Sequence, residues 1–115
     1  DALRALGARA VVVTDGGADG GDWFADATGA RAIARTGHRS GAEHGAGCAH
    51  SAMIAGLRAH GRPVRDAVAA ATGWAATGVR DGLTSVGGGV HPVDLLGLAA
   101  RAIITARGDG ENPSR

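Results

Sequence analysis

The spacing of apolar positions changes along the chain from a strand-like period to a helical one. Residues 10–14 are a short β-branched run bounded by glycines, which predicts a buried strand of a parallel sheet. Residues 22–26 and 30–35 are two further short runs, and the Ala27-Thr28-Gly29 sequence between them predicts a β-hairpin. Alternation in the second run places its arginines on one face, which we expect to be solvated.

Three later segments carry apolar residues at helical spacing. The first covers residues 48–60 and ends at Gly61, and the second begins at Pro63, whose missing N–H is harmless at a helix start. The apolar stripe of the second helix consists of Val64, Ala67, Val68, Ala71, Ala75 and Val79. A third helix is expected to start at Pro92, with Asp94 in its first turn. The expected buried face of this third helix consists of Leu95, Leu98, Ala99, Ala102 and Ile103.

Together these elements predict an α/β fold made of a strand, a β-hairpin, a glycine-rich turn and three helices. Residues 1–6 have the pattern of the last turns of a helix capped by Gly7, and no Met precedes them. We therefore expect a piece of a larger domain, with residues 1–107 belonging to that domain and residues 108–115 forming a disordered tail.

Composition excludes several classes of function. The 115 residues suffice for one domain at most, and 12 cationic residues nearly balance 11 acidic ones. This balance gives no broad electrostatic surface for nucleic acid, and no run is long and apolar enough for a membrane span. A single cysteine cannot form an internal disulfide, which favours a reducing, cytoplasmic location. Every cationic residue is Arg, so no Lys is available for catalysis.

The sequence His44-Gly45-Ala46-Gly47-Cys48 is a glycine-rich turn at the start of the first predicted helix. The unpaired N–H groups and the positive dipole end of a helix start make a favourable anion site, and the same field favours the thiolate of the cysteine. For the motif alone, an ordinary helix start that requires a permissive backbone is the more common explanation of the glycines. The preceding strand, Gly-Gly pair and hairpin favour a nucleotide site.

The sequence also contains residues that could form a metal site. Five potential ligands lie close in sequence: His38, His44, Cys48, His50 and His60. Zinc sites prefer paired ligands at short spacing, and only one thiolate is present here. Three aspartates, Asp15, Asp19 and Asp22, suggest a calcium loop, but the terminal bidentate Glu is missing, and turns between glycines explain them. We therefore expect no protein metal centre.

The run from residue 44 to residue 55 resembles the signature of the hydroxymethylpyrimidine/phosphomethylpyrimidine kinases of thiamine biosynthesis, a branch of the ribokinase-like superfamily. The family pattern is His-Gly-Thr/Ala-Gly-Cys, two residues, then Ser-Ala and an apolar helix. Residues 11–17, 67–79 and 89–94 resemble further family segments in the same order. The resemblance covers roughly residues 2 to 97.

This resemblance implies the C-terminal portion of a ribokinase-like fold and the transfer of a phosphoryl group from ATP, with Mg²⁺, to hydroxymethylpyrimidine and then to its monophosphate. It implies Cys48 as the catalytic base. The residues that it implies for the ATP phosphates and the anion hole are Gly45, Ala46, Gly47, Gly16 and Gly17. The implied partner is a small-molecule substrate, whose pocket belongs to the family's N-terminal half, and the intact enzyme is expected to form a homodimer.

Two positions depart from the family pattern. Asp15 precedes the Gly-Gly pair where the family has Lys or Thr, and Ala42-Glu43 replaces the usual Asn-Thr before His44. Two alternatives to the pyrimidine kinase therefore stay open. One is a pyridoxal kinase of the same superfamily, and the other is a non-catalytic, truncated kinase module.

Overall fold

A computed structural model describes residues 2–15, 21–35 and 37–101 of the chain. Its elements, in order, are α1 (Ala2–Ala5), β1 (Val11–Val13), β2 (Asp22–Asp26), β3 (Gly29–Ile33), α2 (Ala46–Ala59) and α3 (Val64–Arg80). The α/β class is confirmed, as are the predicted order of the elements and the helical end capped at Gly7. The Gly16-Gly17 pair and the predicted tail at 108–115 lie outside the described residues.

The three strands form an antiparallel sheet in the order β1-β2-β3. The predicted parallel arrangement of residues 10–14 is therefore wrong among the described strands. Only residues 14–21 connect β1 to β2, and a parallel crossover requires a dozen or more residues. The strand is also less buried than predicted, with Val11 and Val12 half-buried and Val13 exposed.

The predicted hairpin is confirmed, with Ala27-Thr28 as its turn. Asp26 Oδ1 accepts hydrogen bonds from the Thr28 backbone N–H (2.8 Å) and hydroxyl (2.6 Å). The prediction of a solvated arginine face is wrong, since Arg31 is half-buried. Arg31 lies directly opposite Phe24 in the register, so the two side chains share one face of the sheet, the face that packs against α3.

The core lies between this face of the sheet and α3. Phe24 is completely buried and is the largest such side chain. Five of the six predicted stripe positions on α3 are buried, and the sixth, Val64, is half-buried. The full set of buried residues on α3 is Ala67, Val68, Ala71, Thr72, Ala75, Gly78 and Val79. Thr72 is the polar member of this set.

The first predicted helix begins two residues earlier than expected and ends one residue earlier, as α2. It packs alongside α3, yet every residue of the apolar stripe that helical spacing predicts for it is exposed or half-buried: Ala49, Ala52, Met53, Gly56 and Leu57. Its one buried residue is His50, whose side chain is directed at the interface with α3 and β2. The chain therefore places a polar residue at the most enclosed position of α2.

Residues 91–94, here called the strap, cross the start of α2 and the end of α3. His44 N–H donates to the carbonyl of His91 (3.2 Å), and Val93 N–H donates to the carbonyl of His44 (3.0 Å). The strap is also bound at its far side, where Asp94 N–H donates to the carbonyl of Gly78 (2.9 Å). It thereby ties the turn before α2 to the end of α3.

The strap corrects the predicted third helix, which begins at Leu98 rather than at Pro92. Strand-like pairing of residues 92–93 with His44 excludes helical backbone there. The buried carboxylate of Asp94 accepts hydrogen bonds from N–H groups that open the helix, those of Leu98 (3.0 Å) and Ala99 (2.9 Å). Two residues of the expected buried face, Leu95 and Leu98, are exposed, and Ala102 and Ile103 lie outside the described residues.

Candidate active site

The glycine-rich turn forms the start of α2. Gly45 is the N-cap residue, with φ of 86°, a left-handed conformation that favours glycine. The Ala46 N–H donates to the carbonyl of Glu43 (3.1 Å), while no described residue accepts from the N–H groups of Gly47 and Cys48. These two donors, at the positive end of the α2 dipole, are therefore available to an anion.

A cavity of about 270 Å³ opens beside this turn. One wall is apolar and consists of Ala75, Ala76 and Val79 on α3, and the first turn of α2 contributes Ala46 and Gly47. The polar part of the lining includes Asp15, Asp22, Arg35, Glu43, His50 and Thr72. The cavity thus combines an apolar surface with free N–H donors, as small-molecule sites commonly do.

Cys48 is exposed and does not line this cavity. Successive residues of an α-helix are rotated by about 100°, so Cys48 is rotated by about 200° from both Ala46 and His50, which do line it. The thiol and the cavity therefore lie on different sides of the first turn of α2.

A buried polar cluster forms the floor of the cavity. Asp22, His50 and Thr72 are 2%, 4% and 1% exposed. The Thr72 hydroxyl is 2.7 Å from Asp22 Oδ2, and His50 Nε2 is 3.2 Å from that hydroxyl and 3.4 Å from the same carboxylate oxygen. Buried polar groups are costly unless they are paired, so this cluster is a strongly constrained part of the fold.

Charged side chains surround the mouth of the cavity. Arg35 forms an ion pair with Asp15, joining the residues that follow β3 and β1. The carboxylate of Glu43 accepts a hydrogen bond from the Gly41 N–H (3.1 Å). This places a negative charge just before α2, the helix whose N-terminus offers the free N–H donors.

The sequence matches the family model of phosphomethylpyrimidine kinase over residues 1–94. The match covers most of the chain. This protein belongs to the phosphomethylpyrimidine kinase family. No curated protein sequence matches the chain. The family is a kinase family, which confirms the predicted class of enzyme and agrees with an anion site beside a cavity.

Within this kinase chain, the structure brings together Gly45, Ala46, Gly47 and Cys48 at one helix start. The other two predicted phosphate-binding residues, Gly16 and Gly17, lie outside the described residues. The potential zinc ligands are dispersed: His38 lines the cavity, His44 pairs with the strap and His60 is the C-cap of α2. In the described ranges, no three His, Cys, Asp or Glu side chains form a group able to hold a metal ion.

Sequence reasoning missed the buried cluster in this kinase. It placed Asp22 at the start of a strand and considered it for a calcium loop, considered His50 only as a metal ligand, and did not single out Thr72. The available signal was a polar residue inside the apolar stripe of α3, one turn after Val68. A buried hydroxyl needs a hydrogen-bond partner, which can be the carbonyl one turn earlier in the helix or a residue of another element, and the sequence does not distinguish the two.

No helix in the described part of the chain combines the length and the apolarity needed to cross a bilayer.

Proposed function

We propose that this chain carries the ATP-binding and anion-hole part of a kinase that phosphorylates hydroxymethylpyrimidine and its monophosphate in thiamine biosynthesis. The observation that carries the proposal is the cavity beside the start of α2. Its apolar wall, Ala75, Ala76 and Val79, suits the nucleotide base, and the N–H groups of Gly47 and Cys48 suit the phosphates. The single free thiol fits a reducing, cytoplasmic location.

The position of Cys48 supports a two-sided site. Phosphoryl transfer requires the attacking and leaving oxygens roughly in line, with donors that stabilise the charge between them. The cavity, which Gly47 lines, is on one side of the first turn of α2, and the thiol is on another. Cys48 is therefore suited to accept the proton of the substrate hydroxyl, and a helix N-terminus favours its thiolate.

The cavity is suited to a Mg²⁺ ion that enters bound to the phosphates of ATP. Mg²⁺ commonly binds through substrate phosphates and one or two carboxylates, and it neutralises charge on the transferred phosphoryl group. Among the described residues no preformed metal site exists, and the carboxylates of Asp15 and Glu43 line the cavity. Mg²⁺ would therefore enter with ATP, within reach of these two residues.

The test is Cys48→Ala in the complete enzyme. Turnover with hydroxymethylpyrimidine is expected to fall by about a hundredfold or more, as for loss of a general base. ATP affinity is expected to stay unchanged, because Cys48 does not line the cavity. Turnover within threefold of wild type would remove Cys48 from the mechanism. A panel that includes pyridoxal, assayed in parallel, separates the pyrimidine kinase from a pyridoxal kinase.

Glu43 favours a second candidate, a nucleotide-binding module without turnover. Its carboxylate lines the cavity close to the anion turn, where it opposes the negative charge of a phosphate. Calorimetric titration with ATP distinguishes the two candidates when it is combined with a transfer assay. Binding without phosphorylation of any added alcohol supports the module, whereas transfer to hydroxymethylpyrimidine excludes it.

A further inference from the structure

One carboxylate joins three separate elements of the fold. Asp22, at the start of β2, accepts a hydrogen bond at Oδ1 from the Asp15 N–H (3.1 Å), just after β1. Its Oδ2 lies 2.7 Å from the hydroxyl of Thr72 on α3 and 3.4 Å from Nε2 of His50 on α2. A buried carboxylate with donors on both oxygens holds those donors in fixed positions.

The direction of the hydrogen bonds in this cluster follows from the single hydroxyl proton of Thr72. That proton has two possible acceptors, Asp22 Oδ2 at 2.7 Å and the Val68 carbonyl at 3.0 Å. The carboxylate is closer and charged, so it is the stronger acceptor. The Thr72 oxygen then accepts from His50 Nε2–H at 3.2 Å. The chain of donation runs from His50 through Thr72 to Asp22.

The three donors belong to three walls of the cavity. Asp15 lies just after β1, His50 lies one turn after Ala46 of the anion turn, and Thr72 lies one turn before Ala76 of the apolar wall. We infer that Asp22 is a positioning residue for the nucleotide cavity, which sets the distance between the anion turn and the walls through His50, Thr72 and Asp15. This inference rests on the proposed function, because it assigns the cavity to the nucleotide.

An apolar side chain at position 22 would suffice for packing alone. The same face of β2 carries Phe24, which is completely buried. A whole group of buried ionic partners is often replaceable by apolar residues without loss of stability, whereas removal of one partner alone is costly. A merely structural role therefore predicts that neutral replacements alter stability but leave nucleotide affinity unchanged. A positioning role predicts loss of affinity in the folded protein.

The experiment measures the ATP dissociation constant by calorimetry for wild type and four variants, at a temperature where circular dichroism shows each to be folded. Asp22→Asn replaces the carboxylate by a neutral amide of the same size. Thr72→Val removes the linking hydroxyl and keeps the shape of the side chain. Thr72→Ser restores that hydroxyl. Val68→Ala is the matched control, because Val68 is also on α3, is completely buried and lies outside the cavity lining.

We expect Asp22→Asn and Thr72→Val to weaken ATP binding by about tenfold or more, because the anion turn and the apolar wall would no longer be held at a fixed separation. Thr72→Ser is expected to bind within about threefold of wild type, and Val68→Ala to lose stability without losing affinity. Wild-type affinity in both Asp22→Asn and Thr72→Val would overturn the inference, as would equal loss in Val68→Ala.

A second measurement does not depend on the nucleotide. Asp22→Ala deletes the acceptor of the Asp15 N–H, so native-state hydrogen exchange of that amide is expected to be at least about tenfold faster. The same amide in Val68→Ala serves as the reference for general destabilisation. If wild type gives no heat with ATP, the proposed function fails, and the exchange result then decides the positioning: unchanged exchange in Asp22→Ala overturns it.

Discussion

Gly47→Ala tests whether position 47 is glycine because the backbone requires it or because a bound ligand requires the space. Gly45 adopts a φ of 86° and is required for the turn, whereas Gly47 is not among the residues with positive φ. A Cβ built on Gly47 has no neighbouring atom within 4 Å. Nothing in the described fold therefore requires glycine at position 47, and its missing side chain leaves room beside a free N–H donor that lines the cavity.

Opposite effects on stability and binding are expected from this substitution. Alanine is favoured over glycine in a helix interior by about 0.8–1.0 kcal/mol, and by less in the first turn, so Gly47→Ala should be as stable as wild type or slightly more stable. The new methyl group would occupy the space through which a phosphate oxygen approaches the N–H. We expect ATP to bind at least about tenfold more weakly, which is about 1.4 kcal/mol of binding free energy.

The assay pairs urea unfolding with calorimetric ATP titration. Gly56→Ala is the matched control, because Gly56 lies on the same helix, has open space around its Cβ position and is outside the cavity. It should gain stability and keep its affinity for ATP. Wild-type affinity in Gly47→Ala would refute the assignment of the Gly47 N–H to the phosphates. A loss of stability would show instead that the turn itself requires the glycine.

Three further predictions concern other parts of the fold. Gly82→Ala should lower the free energy of unfolding by about 1–3 kcal/mol, because the new Cβ would collide with the Cβ of Ala42. The control Gly73→Ala, whose Cβ would enter open space, should not lower it, and equal urea midpoints for the two variants would contradict the prediction. Glu43→Gln should tighten the binding of ATP without Mg²⁺ about two- to fivefold at low salt, because it removes a negative charge that lines the cavity, and calorimetry at high salt should show a smaller difference. Hydrogen bonds from the helix N–H groups lower the pKa of Asp94 from 3.8, so its stabilising effect is complete above that value and is lost as the pH falls through the folded pKa. As the pH falls from about 5 to about 3, the free energy of unfolding measured by urea titration should therefore decrease less for Asp94→Asn than for wild type. Equal decreases would refute this linkage.

Local features of the sequence were sufficient for much of this fold. Pro63 and the apolar stripe of α3 define that helix through short-range spacing, and the turn residues between β2 and β3 define the hairpin. The glycine turn likewise predicts the start of α2 to within two residues. Each of these features depends on neighbours only a few residues apart, which periodicity captures.

Contacts between distant residues could not be predicted in the same way. The bond between Thr72 and Asp22 joins residues 50 apart, and the pairing of His44 with Pro92 turns an expected helix start into the strap. The antiparallel pairing of β1 with β2 likewise joins residues that the apolar pattern does not identify as partners. The candidate site was therefore predictable at the turn, while the cavity and its floor required the tertiary structure.

The central claim is that a nucleotide binds in the cavity with its phosphates on the free N–H groups of α2. The most direct measurement is a titration of the ¹⁵N-labelled chain with Mg-ATP, followed by amide chemical shifts. We predict saturable shifts at Gly47 and Cys48, together with Ala75 and Ala76 on the apolar wall, and small shifts at Gly56. Saturable shifts confined to other surfaces, or none at all, would contradict the account.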